Sequence, residues 1–219
     1  MTTQTVPSEQ PVVYVLDDDA EVRGGLSSLL RSAGHEVQAF ETVEAFLADV
    51  STTRTSCLLL DIRLGADDGL EVQSRLKTIQ IGVPVILMTG HGDIPMTVRG
   101  MKAGAIDFLA KPADDGAVLA AVDAALATDR ERRASRSQSE VLEHRYGALT
   151  HREREVMGLV TAGLMNKQVA GKLGLSEITV KIHRGQVMRK MQAQSLADLV
   201  RMAELLGGRA TDASRYTSV

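Results

Sequence analysis

The sequence predicts a doubly wound α/β domain with a five-stranded parallel sheet, followed by an all-α domain of four helices. Length is the first reason, because 219 residues exceed the roughly 100 to 150 of a single domain. Pattern is the second: short β-rich runs alternate with longer amphipathic stretches up to about residue 128, and not beyond. Charge is the third. Residues 1–128 carry nine Lys/Arg against eighteen Asp/Glu, a net charge of −9, whereas the remainder carries sixteen against ten, a net +6. An acidic half attracts a divalent cation or a basic partner, and a basic half suits a polyphosphate backbone such as DNA.

The elements follow in order. Residues 1–10 are polar and predicted to be disordered. The first domain, 11–128, has strands predicted at 12–17, 35–40, 55–61, 83–89 and 105–110, separated by helices. Such alternation gives a parallel sheet covered on both faces, with a ligand site at the carboxyl ends of the strands. Gly24, Gly25 and Gly100 fall within predicted helices, and Gly100 is expected to keep the fourth helix easily remodelled. Residues 129–148 form a linker that reads equally as a polar extension of the preceding helix and as a flexible tether. Ser135, Ser137 and Ser139 weaken helicity there, and Val141 and Leu142 offer a small apolar contact.

The second domain, 149–207, opens with a capping box, Thr150 with Glu153, that starts a helix over 152–162. A short helix over 166–173 follows, then a third capped by Ser176 and a fourth over 195–206. The tail, 208–219, is polar and expected to be mobile. The longest apolar runs fall far short of the roughly 20 residues needed to cross a bilayer, and the N-terminus lacks a signal-peptide pattern. A cytoplasmic protein without a membrane partner is expected. The single cysteine, Cys57, lies in an apolar run and reads as a core residue rather than a nucleophile or zinc ligand.

The candidate chemistry lies where strands end. Asp17 and Asp18 close the first strand and Asp61 the third, so their carboxylates converge and call for a cation. Oxygen donors with retained waters suit Mg²⁺. Thr89 ends the fourth strand and Lys111 the fifth, bringing a hydroxyl and an ammonium to the same rim.

These segments, Val-Leu-Asp17-Asp18-Asp, Leu-Leu-Leu-Asp61-Ile-Arg, Leu-Met-Thr89-Gly and Phe108-Leu-Ala-Lys111-Pro112, resemble the receiver domain of two-component response regulators, a flavodoxin-like fold. The resemblance implies that Asp61 is the phosphoacceptor, with a histidine kinase as its partner. It further implies that Asp17, Asp18, Asp61 and the Arg63 carbonyl hold Mg²⁺, that Thr89 and Phe108 form a switch pair, and that Lys111 contacts the phosphoryl group. A cis Lys111–Pro112 bond is implied too. Gly65, where such proteins commonly have proline, and Ala113, where phenylalanine is frequent, depart from the pattern. No catalytic residue for an external substrate is expected beyond self-catalysed phosphotransfer and dephosphorylation. An aspartyl-phosphate phosphatase would need an Asp-x-Asp-x-Thr pattern that the first strand lacks.

Residues 149–200 resemble the LuxR-type helix-turn-helix of the FixJ/NarL class, through Gly163-Leu-Met-Asn166-Lys167-Gln-Val-Ala170 and Thr179-Val-Lys181-Ile-His183-Arg184. Val180, Val187 and Met191 form an inward stripe on the third helix, leaving Ile178, Lys181, Ile182, Gly185 and Arg189 outward. Lys181 is expected to contact a base or phosphate, Ile182 a thymine methyl, and Arg184, Lys190 and Lys167 the backbone of double-stranded promoter DNA. The fourth helix divides Leu196, Leu199, Val200, Ala203 and Leu206 between its own core and a second copy in a manner the sequence leaves open. The reading is a response regulator that forms a homodimer on phosphorylation and activates transcription with RNA polymerase. A constitutive DNA-binding protein with a vestigial receiver is the alternative.

Overall fold

The computed structural model describes residues 10–65, 67–90 and 94–207. The expectations of a disordered start and a mobile tail therefore lie outside the described residues, save for Gln10. The chain forms two compact units, one ending at Arg133 and the other beginning at Ala134.

The first unit contains β1 (Val12–Leu16), α1 (Ala20–Ser32), β2 (Glu36–Phe40), α2 (Val43–Asp49) and β3 (Ser56–Asp61). After these come β4 (Arg63–Leu64), β5 (Asp67–Asp68), α3 (Gly69–Thr78), β6 (Val85–Thr89), α4 (Ile94–Lys102), β7 (Asp107–Ala110) and α5 (Asp115–Gly147). Five strands make one sheet in the order β2-β1-β3-β6-β7, every pairing parallel. β4 and β5 form a separate two-residue antiparallel pair just past β3.

Both faces of the sheet are covered, which is why its strands read as nearly continuous apolar runs. Val12, Tyr14 and Leu16 pack with Phe46 of α2 and with Leu70 and Leu76 of α3. The alternating residues Val13 and Val15 pack on the other side with Leu30 of α1 and with Val122 and Leu126 of α5. Cys57 is buried in that second core, and burial, followed by the nearby Asp129 charge, pushes its thiol up to about 12. The last two strands start two residues later than the sequence predicts. Pro84 has no N–H for a ladder, and Ala105 directs its N–H to Gly100 O, closing α4.

Gly100 also has a packing role that the sequence did not suggest. A Cβ there would lie 2.3 Å from Leu87 Cδ1 and 3.3 Å from Leu70 Cδ2, so the glycine lets the α4 backbone meet the sheet and α3 directly.

The linker is helical, since α5 runs unbroken through it. Its start is packed on the first unit. Asp129, fully buried, accepts from the Ser56 N–H at 3.0 Å and pairs with Arg132 and Arg133, and Arg133 Nη1 donates to Thr52 O at 2.9 Å.

The second unit packs the end of α5 with α6 (His151–Thr161), α7 (Asn166–Leu173), α8 (Glu177–Met191) and α9 (Leu196–Leu205). The Thr150–Glu153 capping box is formed, and the Ser176 hydroxyl accepts from the Thr179 N–H at 3.1 Å to open α8. Leu142 joins Leu149, Met157, Val187 and Met191 in one core, a larger contact than the linker composition implies. Val156, Val160, Val169 and Val180 form a second.

Candidate functional site

β1 and β3 are neighbours at the place where the sheet order turns away from the chain order, the usual crevice of such folds. Asp17 follows β1 and Asp61 ends β3, so one backbone register brings the two carboxylates together. Both are buried, at 1% and 8% exposure. With the exposed Asp18 they place three carboxylate oxygens within 4.8 Å of one another.

Lys111, just past β7, reaches back across the strand ends. Its Nζ donates to Asp17 Oδ2 and to Asp61 Oδ2, each at 2.6 Å. The remaining oxygens are also held: Asp17 Oδ1 accepts from the Asp19 N–H at 3.0 Å, and Asp61 Oδ1 from the Arg63 N–H at 3.2 Å. Arg23 Nη1 donates to Asp17 O at 2.7 Å, fixing the backbone there.

Burial pushes the Asp17 carboxyl above its ordinary value, and the Lys111 ammonium offsets this only in part. Burial also works against the charged Lys111, but Asp17 and Asp61 outweigh it and hold the lysine above its ordinary value. The ammonium therefore stays charged, and three carboxylates still exceed one cation. An oxygen-only donor set with surplus negative charge fits Mg²⁺.

Thr89 ends β6 and is buried, and its carbonyl accepts from the Lys111 N–H at 2.7 Å. Leu87 pairs with Phe108 and Thr89 with Ala110, so Thr89 and Phe108 point to the same face of the sheet. Phe108 is partly buried against that core. The Lys111–Pro112 bond is cis. Gly65 sits at φ +60°, in the left-handed region that glycine favours.

Sequence reasoning missed Gly69. A Cβ there would lie 2.4 Å from Asp61 O and 2.8 Å from Ile62 Cα, so only glycine lets the start of α3 press against the backbone of Asp61. A glycine after two acidic residues reads simply as a turn, and nothing local signals the approach.

In the second unit, Val180, Val187 and Met191 of α8 are buried. On the opposite side stand Ile178, 75% exposed, and Ile182, 58% exposed, with Lys181, Gly185 and Arg189 also exposed. Arg184 Nη1 donates to Asn166 Oδ1 at 3.2 Å, tying α8 to α7, and Lys167 is exposed on α7.

Lys190, expected on the DNA backbone, also has partners within its own domain. Its Nζ donates to Glu153 Oε2 at 2.6 Å and to Ala148 O at 3.2 Å. Burial pushes Glu153 up, but Lys190 and Thr150 outweigh it and hold the carboxyl below its ordinary value. Leu199 of α9 and Leu206, which caps its carboxyl end, are buried while Leu196 and Leu205 are exposed, so the first two serve the unit's own core.

Two family models match the chain: the response regulator receiver domain over residues 13–123, and the bacterial regulatory proteins of the luxR family over residues 147–203. Nodulation protein W of Bradyrhizobium diazoefficiens is 51% identical over 203 residues, covering 93% of this chain and 89% of that protein. Response regulator protein TodT of Pseudomonas putida is 44% identical over 195 residues, covering 89% and 86%. Among solved structures, the response regulator StyR superposes with a TM-score of 0.81 at 48% identity, covering 89% of this chain and 98% of that one. Full-length FixJ from B. japonicum gives a TM-score of 0.55 at 40% identity, covering 90% and 97%. Among the described residues no helix is long and apolar enough to cross a membrane.

Proposed function

Because this chain belongs to the response regulators that join a receiver domain to a LuxR-type DNA-binding domain, we propose that Asp61 accepts a phosphoryl group from a partner histidine kinase and thereby controls promoter binding. The observation that carries this reading is the Lys111 ammonium shared by Asp17 and Asp61, with Asp18 at the rim.

An Asp61 carboxylate oxygen forms the new P–O bond in line as the P–N bond to the donor imidazole breaks, and the imidazole leaves with the electron pair and takes up a proton. Lys111 exchanges part of its contact with Asp61 for the incoming phosphoryl oxygens, so a charge already in place needs little reorganisation. Asp17, Asp18, Asp61 and the Arg63 carbonyl would hold Mg²⁺, which would supply further charge neutralisation. Thr89 turns toward the phosphoryl oxygens and Phe108 follows into the space it leaves, reshaping the surface of α4, β7 and α5. Two receivers then pair, and the DNA-binding units act together on an inverted repeat to activate transcription with RNA polymerase.

On DNA, Lys181 contacts a base edge or phosphate, Ile182 a thymine methyl, and Arg184 and Lys167 the backbone. Lys190, held by Glu153, is assigned to the fold of the domain rather than to phosphate. Incubation with acetyl phosphate and Mg²⁺, read by intact mass and solution size with Asp61→Asn as control, tests the receiver. A phosphoryl gain that requires Asp61 and accompanies dimerisation is expected. No gain, from acetyl phosphate or from a kinase, would leave the receiver a vestigial module.

A further inference from the structure

We infer that α8 reads thymine methyl groups with two side chains, Ile178 as well as Ile182, so that each half-site this chain prefers carries two closely spaced thymines. The inference rests on the placement of α8 in the major groove.

Ile178 and Ile182 are the two exposed large hydrophobic residues of α8, at 75% and 58%. They lie opposite the buried Val180, Val187 and Met191, so neither serves the core. Four residues apart on a helix, they share one face and are separated by about 6 Å along its axis. That is less than two base-pair rises of about 3.4 Å, which sets the spacing of the thymines they can reach.

The surroundings favour DNA over a protein surface. Lys181 lies between the two isoleucines and forms no ion pair with any described residue. One turn on, Gly185 is exposed and a Cβ there would meet nothing within 4 Å, leaving the helix bare where a groove wall must approach. Arg184 and Arg189 add positive charge on the same helix. Within the major groove the apolar group offered by a base pair is the thymine C5 methyl, the natural counterpart of a branched aliphatic side chain flanked by cations.

The full-length protein, with and without acetyl phosphate treatment, is used to select duplexes from a random library. Two thymines no more than two base pairs apart are expected in each half-site. Each is then replaced by deoxyuridine, which removes the methyl alone. Each replacement is expected to weaken binding by the parent about fourfold, the equivalent of one buried methyl group at about 0.8 kcal/mol. Ile178→Ser should be indifferent to one replacement and Ile182→Ser to the other. Equal binding of thymine and uracil duplexes by the parent overturns the inference, and needs no variant to fold. So does an Ile178→Ser protein that weakens on both duplexes while keeping both uracil effects. Binding without sequence preference overturns it but leaves DNA binding intact, whereas failure to bind even unselected duplex overturns both.

Discussion

Asp17 and Asp61 are withdrawn from water and share one ammonium, each remaining oxygen held by a backbone N–H. Ile178, Lys181 and Ile182 face solvent on α8 without such partners. The difference fits the tasks proposed for the two sites. A site that makes a bond needs its charges oriented before the substrate arrives, and burial strengthens each of them. A face that grips a large polyanion must instead leave its hydrogen-bonding and apolar groups for the partner.

The contrast can be broken from either side. The largest effect is expected at Asp61, where Asp61→Asn removes the attacking charge and should abolish the phosphoryl mass gain while leaving binding to unselected DNA in place. Next, Gly69→Ala drives a Cβ into the Asp61 backbone and should destabilise the first unit by about 3 kcal/mol, read as a shifted urea midpoint. A variant as stable as the parent would show that the loop relaxes freely.

Lys190 and Lys181 sharpen the comparison within one helix. Lys190→Met leaves the buried Glu153 carboxylate without its ammonium and should cost about 2 kcal/mol of stability, with the salt dependence of DNA binding unchanged. Lys181→Ala should do the reverse, weakening DNA binding roughly tenfold and, for a phosphate contact, reducing the salt slope by about one with stability intact. A lowered slope in Lys190→Met would return that residue to the DNA.

The smallest effect is in pH. The folded-state pKa of Glu153 is depressed, so its contribution is present above the unfolded glutamate pKa and lost as pH falls through the folded one. Acidification across that window should destabilise the parent more than Lys190→Met, measured by helical signal.

Much of the fold and of the receiver site was legible because the determinants are local. Strand composition, the Thr150 and Ser176 caps and the acids at strand ends each declare themselves within a few residues, and the parallel topology then gathers Asp17, Asp61, Thr89 and Lys111. What stayed hidden depends on pairs distant in sequence. Asp129 meets Ser56 across 73 positions, and Lys190 meets Glu153 across 37. Read from its sequence neighbours alone, each looks like an ordinary solvated charge on a helix. Gly69 and Gly100 were opaque for a related reason, since a missing side chain leaves no sign of the backbone or side chain that passes close to it.

The buried Asp129 also decides where the chain can be cut. A receiver fragment ending at residue 128, as the composition suggests, would strip the Ser56 N–H of its acceptor at the foot of the strand that carries Asp61, a loss of about 1 to 3 kcal/mol. Extending the fragment through Arg133 keeps the carboxylate, both of its arginine partners and the tether to Thr52. Five residues that read as connecting helix thus belong to any piece of this protein meant to report on phosphorylation alone.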